Sequence, residues 1–73
     1  SANRRIRELW PHIAARGSVS RQEYQEMAGE DISVRTAQYD LQTFVKLGLL
    51  RKEGRGPAMR YTVYEGRRTW AQN

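Results

Sequence analysis

The segment from Ser33 to Gly48 limits the possible folds most strongly, because it has the pattern of one amphipathic helix with a signal at each end. Successive residues of an α-helix turn by about 100°, so positions three and four apart lie on one face. One face is apolar and is predicted to be buried. Its residues are Ala37, Leu41 and Phe44, with Val45 and Leu47 at its flanks. Ser33 stands where an N-cap is favoured and Gly48 where a left-handed residue ends a helix, so we predict a helix over residues 33–47.

The opposite face of this segment is polar and contains no acidic residue. It carries Arg35, Tyr39, Gln42 and Lys46, with Gln38 and Thr43 at its edges. Most of these side chains can donate hydrogen bonds to phosphates or to the edges of nucleic-acid bases. An ordinary solvated helix has a similar pattern, because polar outer faces are the norm. Which of these two interpretations holds depends on the neighbouring segments.

The length and composition of the chain argue against an enzyme. The chain has 73 residues, no cysteine and a single histidine, His12. A domain of this size buries only about 60% of its unfolded surface and has little room for a deep catalytic cleft. Without thiols and with one imidazole, neither a disulfide framework nor a thiolate zinc site is available. Glu23 and Glu26 are spaced like a carboxylate pair, but Glu23 has a capping role, so we predict no catalytic site, no metal and no cofactor.

The chain shows no membrane or export signal. It lacks the run of roughly 20 apolar residues that crosses a bilayer, and no signal-peptide pattern opens it. We therefore expect a soluble, cytoplasmic protein without a membrane partner. Because the sequence starts with Ser-Ala-Asn rather than Met, we also expect that it can be a fragment of a longer protein.

The positive charge of the chain is segregated. The formal net charge is +5, yet residues 1–32 balance to zero, residues 33–64 carry +4 and residues 65–73 carry +1. The excess therefore begins at the capped amphipathic helix and continues towards the C-terminus. Segregated positive charge is the electrostatic pattern expected of a nucleic-acid binder.

A first helix is predicted over residues 3–16. Its apolar residues at helical spacing are Ile6, Leu9, Trp10, Ile13 and Ala14. Pro11 lies inside this run, where a proline removes a backbone donor and clashes with the preceding turn. We expect either a kink at Pro11 or a helix that restarts there, and we expect Trp10 and Ile13 to be in the core.

A second helix is predicted over residues 20–28. Ser20 and Glu23 have the spacing of a capping box, in which each side chain bonds the backbone N–H of the other residue. Gly29 is the predicted terminator, and Ser18 and Val19 could form a short bridge in a small sheet. Two helices joined by a short turn that contains glycine, the second with a basic outer face, form a helix-turn-helix. The helix over residues 33–47 would then be its recognition helix.

The periodicity changes to two after Gly48. Two strands, 49–53 and 59–64, flank a loop of Gly54, Arg55, Gly56, Pro57 and Ala58, and we predict a β-hairpin over residues 49–64. A basic hairpin directly after a helix-turn-helix is a wing. Arg55 at its tip could enter a minor groove or contact phosphate, or it could be a solubilising charge. Residues 65–73 are interpreted as a tail with Arg67, Arg68 and Trp70.

A series of residues in these segments resembles a known family. It comprises Ser33, Arg35, Thr36, Ala37, Asp40, Leu41 and Phe44, then Gly48-Leu49-Leu50, Gly54, Gly56 and Arg60-Tyr61. The series is similar to the winged helix-turn-helix domains of DeoR-type bacterial regulators, and to the C-terminal winged helices of Fic-family and helicase-related bacterial regulators. The resemblance covers residues 19–64. It implies an α+β winged helix-turn-helix with three helices and a small antiparallel sheet.

The resemblance also implies DNA binding by the recognition helix. The positions that face DNA in such domains correspond to Arg35, Thr36, Gln38, Tyr39 and Gln42. The chain departs from the pattern at Tyr39, where DeoR-type proteins commonly have an arginine, so an operator preference does not transfer.

The leading hypothesis is sequence-specific binding to double-stranded DNA by a bacterial transcription regulator or a module of one. Arg35 could pair with a guanine, and Gln38 or Gln42 with an adenine. The expected phosphate contacts are Thr36, Tyr39, Lys46, Arg51, Lys52 and Arg60. The alternative is a protein-interaction module that docks as a homodimer or on other domains of a larger chain, with Trp10, Tyr64 or Trp70 as anchors. RNA binding is a weaker third hypothesis, since no run of exposed aromatics is suited to base stacking.

Overall fold

Three helices and three strands make up the described part of the chain. The computed structural model describes residues 2–29 and 31–64, so the predicted tail at residues 65–73 lies outside it. The elements are α1 (Ala2–Arg16), β1 (Ser18–Val19), α2 (Arg21–Ala28), α3 (Val34–Lys46), β2 (Leu50–Glu53), a 3-10 turn (Gly56–Ala58) and β3 (Arg60–Val63). This is an α+β fold with the arrangement of a winged helix. The predicted fold class is therefore confirmed.

The sheet is antiparallel, and β3 is its central strand. The order is β1-β3-β2, with Val19 opposite Tyr61 and Leu50 opposite Val63. The Val63 N–H also donates to the Gly17 carbonyl at 3.0 Å, so β3 is also bonded to the residue that precedes β1. The short bridge expected at residues 18–19 is confirmed, and it joins the segment between α1 and α2 to the wing.

The predicted caps set the ends of α2. Ser20 is the N-cap, and the reciprocal hydrogen bonds with Glu23 complete the capping box. Gly29 ends the helix in the left-handed conformation. These contacts satisfy backbone groups that a helix end leaves without partners.

Helix α1 runs without interruption through Pro11, so it does not restart there. A proline deprives the carbonyl four residues earlier of its helical donor. Both Pro11 and Arg7 are exposed, so that carbonyl lies on the solvent side, where water can satisfy it.

The core lies between the three helices and the sheet. Its fully buried large side chains come from every layer and include Ile13, Val19, Tyr24, Leu41, Phe44 and Leu50. Trp10 is half-buried and packs on Phe44, with the ring centroids 5.8 Å apart.

The prediction that Leu47 flanks the buried face is wrong, because its side chain is 56% exposed. Leu47 is the C-cap of α3, and the chain turns away there through Gly48 at a φ of 75°. The N–H of Gly48 donates to Val45 and that of Leu49 to Phe44, the pair of bonds that defines a Schellman motif. This turn leaves Leu47 outside and directs Leu50 into the core.

The wing loop contains a tight approach at Gly54. A Cβ at this position would lie 2.5 Å from the Ala58 carbonyl oxygen, and the φ of Gly54 is 86°. Gly56 also has a positive φ, 54°, but nothing lies within 4 Å of a Cβ built there. Substitutions at these two glycines therefore distinguish the free-energy cost of the backbone conformation from that of a steric clash.

We expect Gly54→Ala to destabilise the domain by about 2–4 kcal/mol, because the left-handed backbone is strained and the loop must also move. Gly56→Ala is the matched control and should cost about 1 kcal/mol from the backbone conformation alone. Urea unfolding followed by circular dichroism measures both changes. Equal losses in the two variants would contradict the clash at Gly54.

Candidate nucleic-acid interface

The outer face of α3 presents its long polar side chains to solvent. Ser33 caps the helix by accepting from the Thr36 N–H at 3.0 Å, which confirms the predicted start. The exposed side chains are those of Arg35, Gln38, Tyr39, Gln42 and Lys46. Tyr39 is the most exposed large hydrophobic side chain of the described residues, at 69%. Five of the predicted site residues thus lie on the exposed face of one helix.

The two threonines of α3 are less available. Thr36 is half-buried, and its hydroxyl accepts from Ser33 Oγ at 3.1 Å. Thr43 Oγ1 donates to the Tyr39 carbonyl at 3.0 Å. The Thr43 hydroxyl has thus used its proton, whereas the Thr36 hydroxyl only accepts and can still donate. Both threonines are half-buried, so they are less accessible than the exposed amides of Gln38 and Gln42.

Asp40 is the only carboxylate of α3, and it is completely buried. Arg5 Nε donates to its Oδ2 at 2.6 Å and Arg5 Nη2 to its Oδ1 at 3.1 Å. The Tyr24 hydroxyl donates to Oδ2 at 2.7 Å. The hydrogen bond to Asp40 raises the pKa of Arg5, while burial and then the bond to Asp40 raise that of Tyr24. Arg5 thus compensates the charge of this carboxylate inside the domain, and α3 contributes no negative charge to its outer face.

The basic residues of the wing are divided between the two faces of the sheet. Lys52 lies opposite Tyr61, and residues directly opposite in an antiparallel pair share a face. Lys52 is therefore on the helix side, whereas Arg51 is on the other. Arg51 forms an ion pair of 2.9 Å with Glu53, and its guanidinium lies 5.8 Å from the centre of the Tyr64 ring. The structure does not bring Arg51 and Lys52 onto one surface.

Arg55 and Arg60 differ in how far their charges are engaged. Arg55 is exposed at the start of the 3-10 turn, as predicted for the wing tip. Arg60 is half-buried, and its Nη2 is 2.7 Å from Glu23 Oε1. Its Nε donates to Ser18 Oγ at 3.2 Å. Arg60 therefore has a carboxylate partner that the sequence interpretation did not assign to it.

A polar groove connects α3 to the wing. Of the described residues, it is lined by Ser20, Arg21, Gln22, Gln38, Gly56, Pro57, Met59 and Arg60. It thus brings Gln38 and Arg60 together, two residues far apart in the sequence. Arg21 and Gln22 were missed as candidate contacts. Their position after the Ser20 cap was visible in the sequence, but the distant elements that complete the groove were not.

Residues 2–29 and 31–64 contain no group of three or more His, Cys, Asp or Glu side chains that could hold a metal ion. No helix among them is long and apolar enough to cross a membrane. No protein-family model and no curated protein matches this chain. The fold and the surface described above therefore carry the functional argument.

Proposed function

We propose that the chain binds double-stranded DNA through α3 and the wing, as a bacterial transcription regulator or a module of one, in the cytoplasm. The observation that carries the proposal is the burial of Asp40. With that carboxylate paired to Arg5, the outer face of α3 offers cationic, amide and phenolic groups and no acid. A surface of this kind suits phosphate contacts and base-edge hydrogen bonds.

The proposed roles follow the exposure of each side chain. Arg35 near the start of α3 would read a guanine, and Gln38 or Gln42 an adenine. Lys46 and Tyr39 would contact phosphate together with Lys52 and the wing-tip Arg55. Arg51 is left out of this set, because it lies on the other face of the sheet and pairs with Glu53. Thr36 has the smallest role, because it is half-buried whereas the other candidates on α3 are exposed.

A salt titration tests this proposal. Binding to a fluorescein-labelled random duplex is measured by anisotropy between 50 and 300 mM KCl. With Lys46, Lys52 and Arg55 each neutralising one phosphate, the slope of log K against log salt should be about −3. The variant that combines Arg35→Ala with Lys46→Ala should lower the steepness, whereas Arg7→Ala removes an exposed charge outside the proposed site and serves as the control. A slope near zero for the wild-type protein would refute the proposal.

A second candidate is a protein-interaction module, and the exposure of Leu47 and Tyr64 favours it. Leu47 is 56% exposed and Tyr64 42% exposed, and large exposed apolar groups are common in interfaces. Of the anchors expected from the sequence, Trp10 packs on Phe44, and Trp70 lies outside the described residues. Self-association that is insensitive to salt and lost in Tyr64→Ala would support this function over DNA binding.

A further inference from the structure

The carboxylate of Glu23 is the centre of a cluster that joins four elements of the fold. Its Oε1 accepts from the Ser20 N–H at 2.9 Å and from Arg60 Nη2 at 2.7 Å. Its Oε2 lies 3.5 Å from Arg16 Nη2. Through Arg60 the cluster also reaches Ser18 on β1. These contacts, the Ser20 N–H first and Arg60 next, hold the pKa of Glu23 below its ordinary value, so the group is charged at neutral pH.

Arg60 is shared between this cluster and the polar groove. The groove opens beside Gln38, which belongs to the exposed face of α3. No Asp or Glu is among the described residues that line it. A DNA strand that followed the α3 face towards the wing would therefore meet Arg60 in a groove whose described lining residues carry no carboxylate.

Releasing Arg60 would not leave Glu23 without partners. The Ser20 N–H and Arg16 would both remain with the carboxylate. Arg60 is also only half-buried, and its side chain in the ion pair is 41% exposed. A phosphate offers the guanidinium the same geometry of hydrogen bonds as a carboxylate does. The two anions can thus exchange at a single cation.

We propose that Glu23 and a DNA backbone phosphate compete for Arg60. Glu23 therefore lowers the affinity of the protein for DNA, whatever the DNA sequence. The proposal rests on the DNA-binding function proposed above. Glu23 thereby lowers the affinity for all DNA sequences alike without touching DNA. It weakens the contacts that all sequences share and leaves the base-reading face of α3 unchanged.

Glu23→Gln tests the competition. The amide oxygen can still accept from the Ser20 N–H, but the charge that holds Arg60 is gone. The slope of log K against log salt on a random duplex should steepen by about 0.9, which corresponds to one more phosphate contact. If the additional phosphate contact contributes nothing near 1 M salt, Glu23→Gln should bind the duplex at 0.1 M salt up to about 8-fold more tightly than the wild-type protein.

Two further variants separate competition from a simple change in net charge. Glu26→Gln removes an exposed carboxylate from the same helix and should raise affinity much less. In the double variant that adds Arg60→Gln to Glu23→Gln, the gain should disappear. A gain that persists without Arg60, or one that Glu26→Gln reproduces in full, would overturn the proposal.

Arg60→Gln alone provides a test that does not depend on Glu23→Gln folding well. Because Glu23 already holds Arg60, this variant should lower affinity for the random duplex less than twofold. A loss as large as that in Lys46→Ala would overturn the competition. A wild-type protein with no salt-dependent binding would instead refute the DNA-binding function, whereas steep binding that Glu23→Gln leaves unchanged would refute only the competition.

Discussion

Asp40→Ala is expected to destabilise the domain by about 3–5 kcal/mol, because it leaves the partly buried Arg5 guanidinium and the buried Tyr24 hydroxyl without their common acceptor. The side chain of Asp40 is fully buried, and that of Arg5 is 17% exposed. The total stability of a domain of this size is about 4–11 kcal/mol. Asp40→Ala should therefore be largely unfolded under mild denaturing conditions, as urea unfolding at neutral pH would show.

The matched control for Asp40→Ala is Glu8→Ala. Glu8 pairs with Arg4 at 3.8 Å on α1, but both side chains are about two-thirds exposed, at 67% and 64%. Exposed pairs of this type contribute about 0–1 kcal/mol. Replacing Arg5 and Asp40 together by Met and Leu should restore much of the stability, since no buried charge is then left unpaired. A loss below about 1 kcal/mol in Asp40→Ala would show that water reaches the site and satisfies Arg5 and Tyr24.

Under the proposed DNA-binding function, Arg35→Ala is expected to remove discrimination at one base pair of the target duplex. A bidentate contact to guanine is worth about 1–3 kcal/mol, so the ratio of affinities for target and altered duplex should fall by about 5- to 150-fold. Arg35 is exposed in the first turn of α3, which is the part of a recognition helix that enters the major groove. The target is obtained by selection from random duplexes, and both affinities are measured by anisotropy.

Lys46→Ala is the control for Arg35→Ala, because it removes one positive charge from the last turn of the same helix. It should weaken binding to all duplexes about equally and reduce the salt slope by about 0.9. If Arg35→Ala behaves in the same way, Arg35 contacts only phosphate. The base-reading role would then have to move to Gln38 or Gln42.

The sequence predicted those features that depend on neighbouring residues. The capping box of Ser20 and Glu23 and the Schellman glycine Gly48 involve groups within six positions of each other, so spacing alone identifies them. The alternation after Gly48 likewise predicted the two wing strands. The loop between them contains a 3-10 turn at Gly56–Ala58. Pro57 was the local signal for that turn, since its fixed φ suits the first turn of a helix.

The ion pairs that shape the candidate site could not be predicted in this way. By helical spacing Asp40 lies on the apolar face with Ala37 and Phe44, which signals burial. Its partner Arg5, however, is 35 positions away. Arg60 and Glu23 are 37 positions apart. Such contacts depend on how whole elements pack, and propensity or spacing within one segment carries no information about that.

The central position of β3 has a consequence for the order in which the chain can fold. Strand β3 joins β1 to β2, yet it is the last of the described elements to be synthesised. During translation the three helices can form while both outer strands still lack their partner. Contacts between distant segments are slow to close, because the entropy of the intervening loop is lost before they stabilise the fold. The emergence of residues 60–63 should therefore trigger cooperative closure of the domain and at the same time place Arg60 beside Glu23.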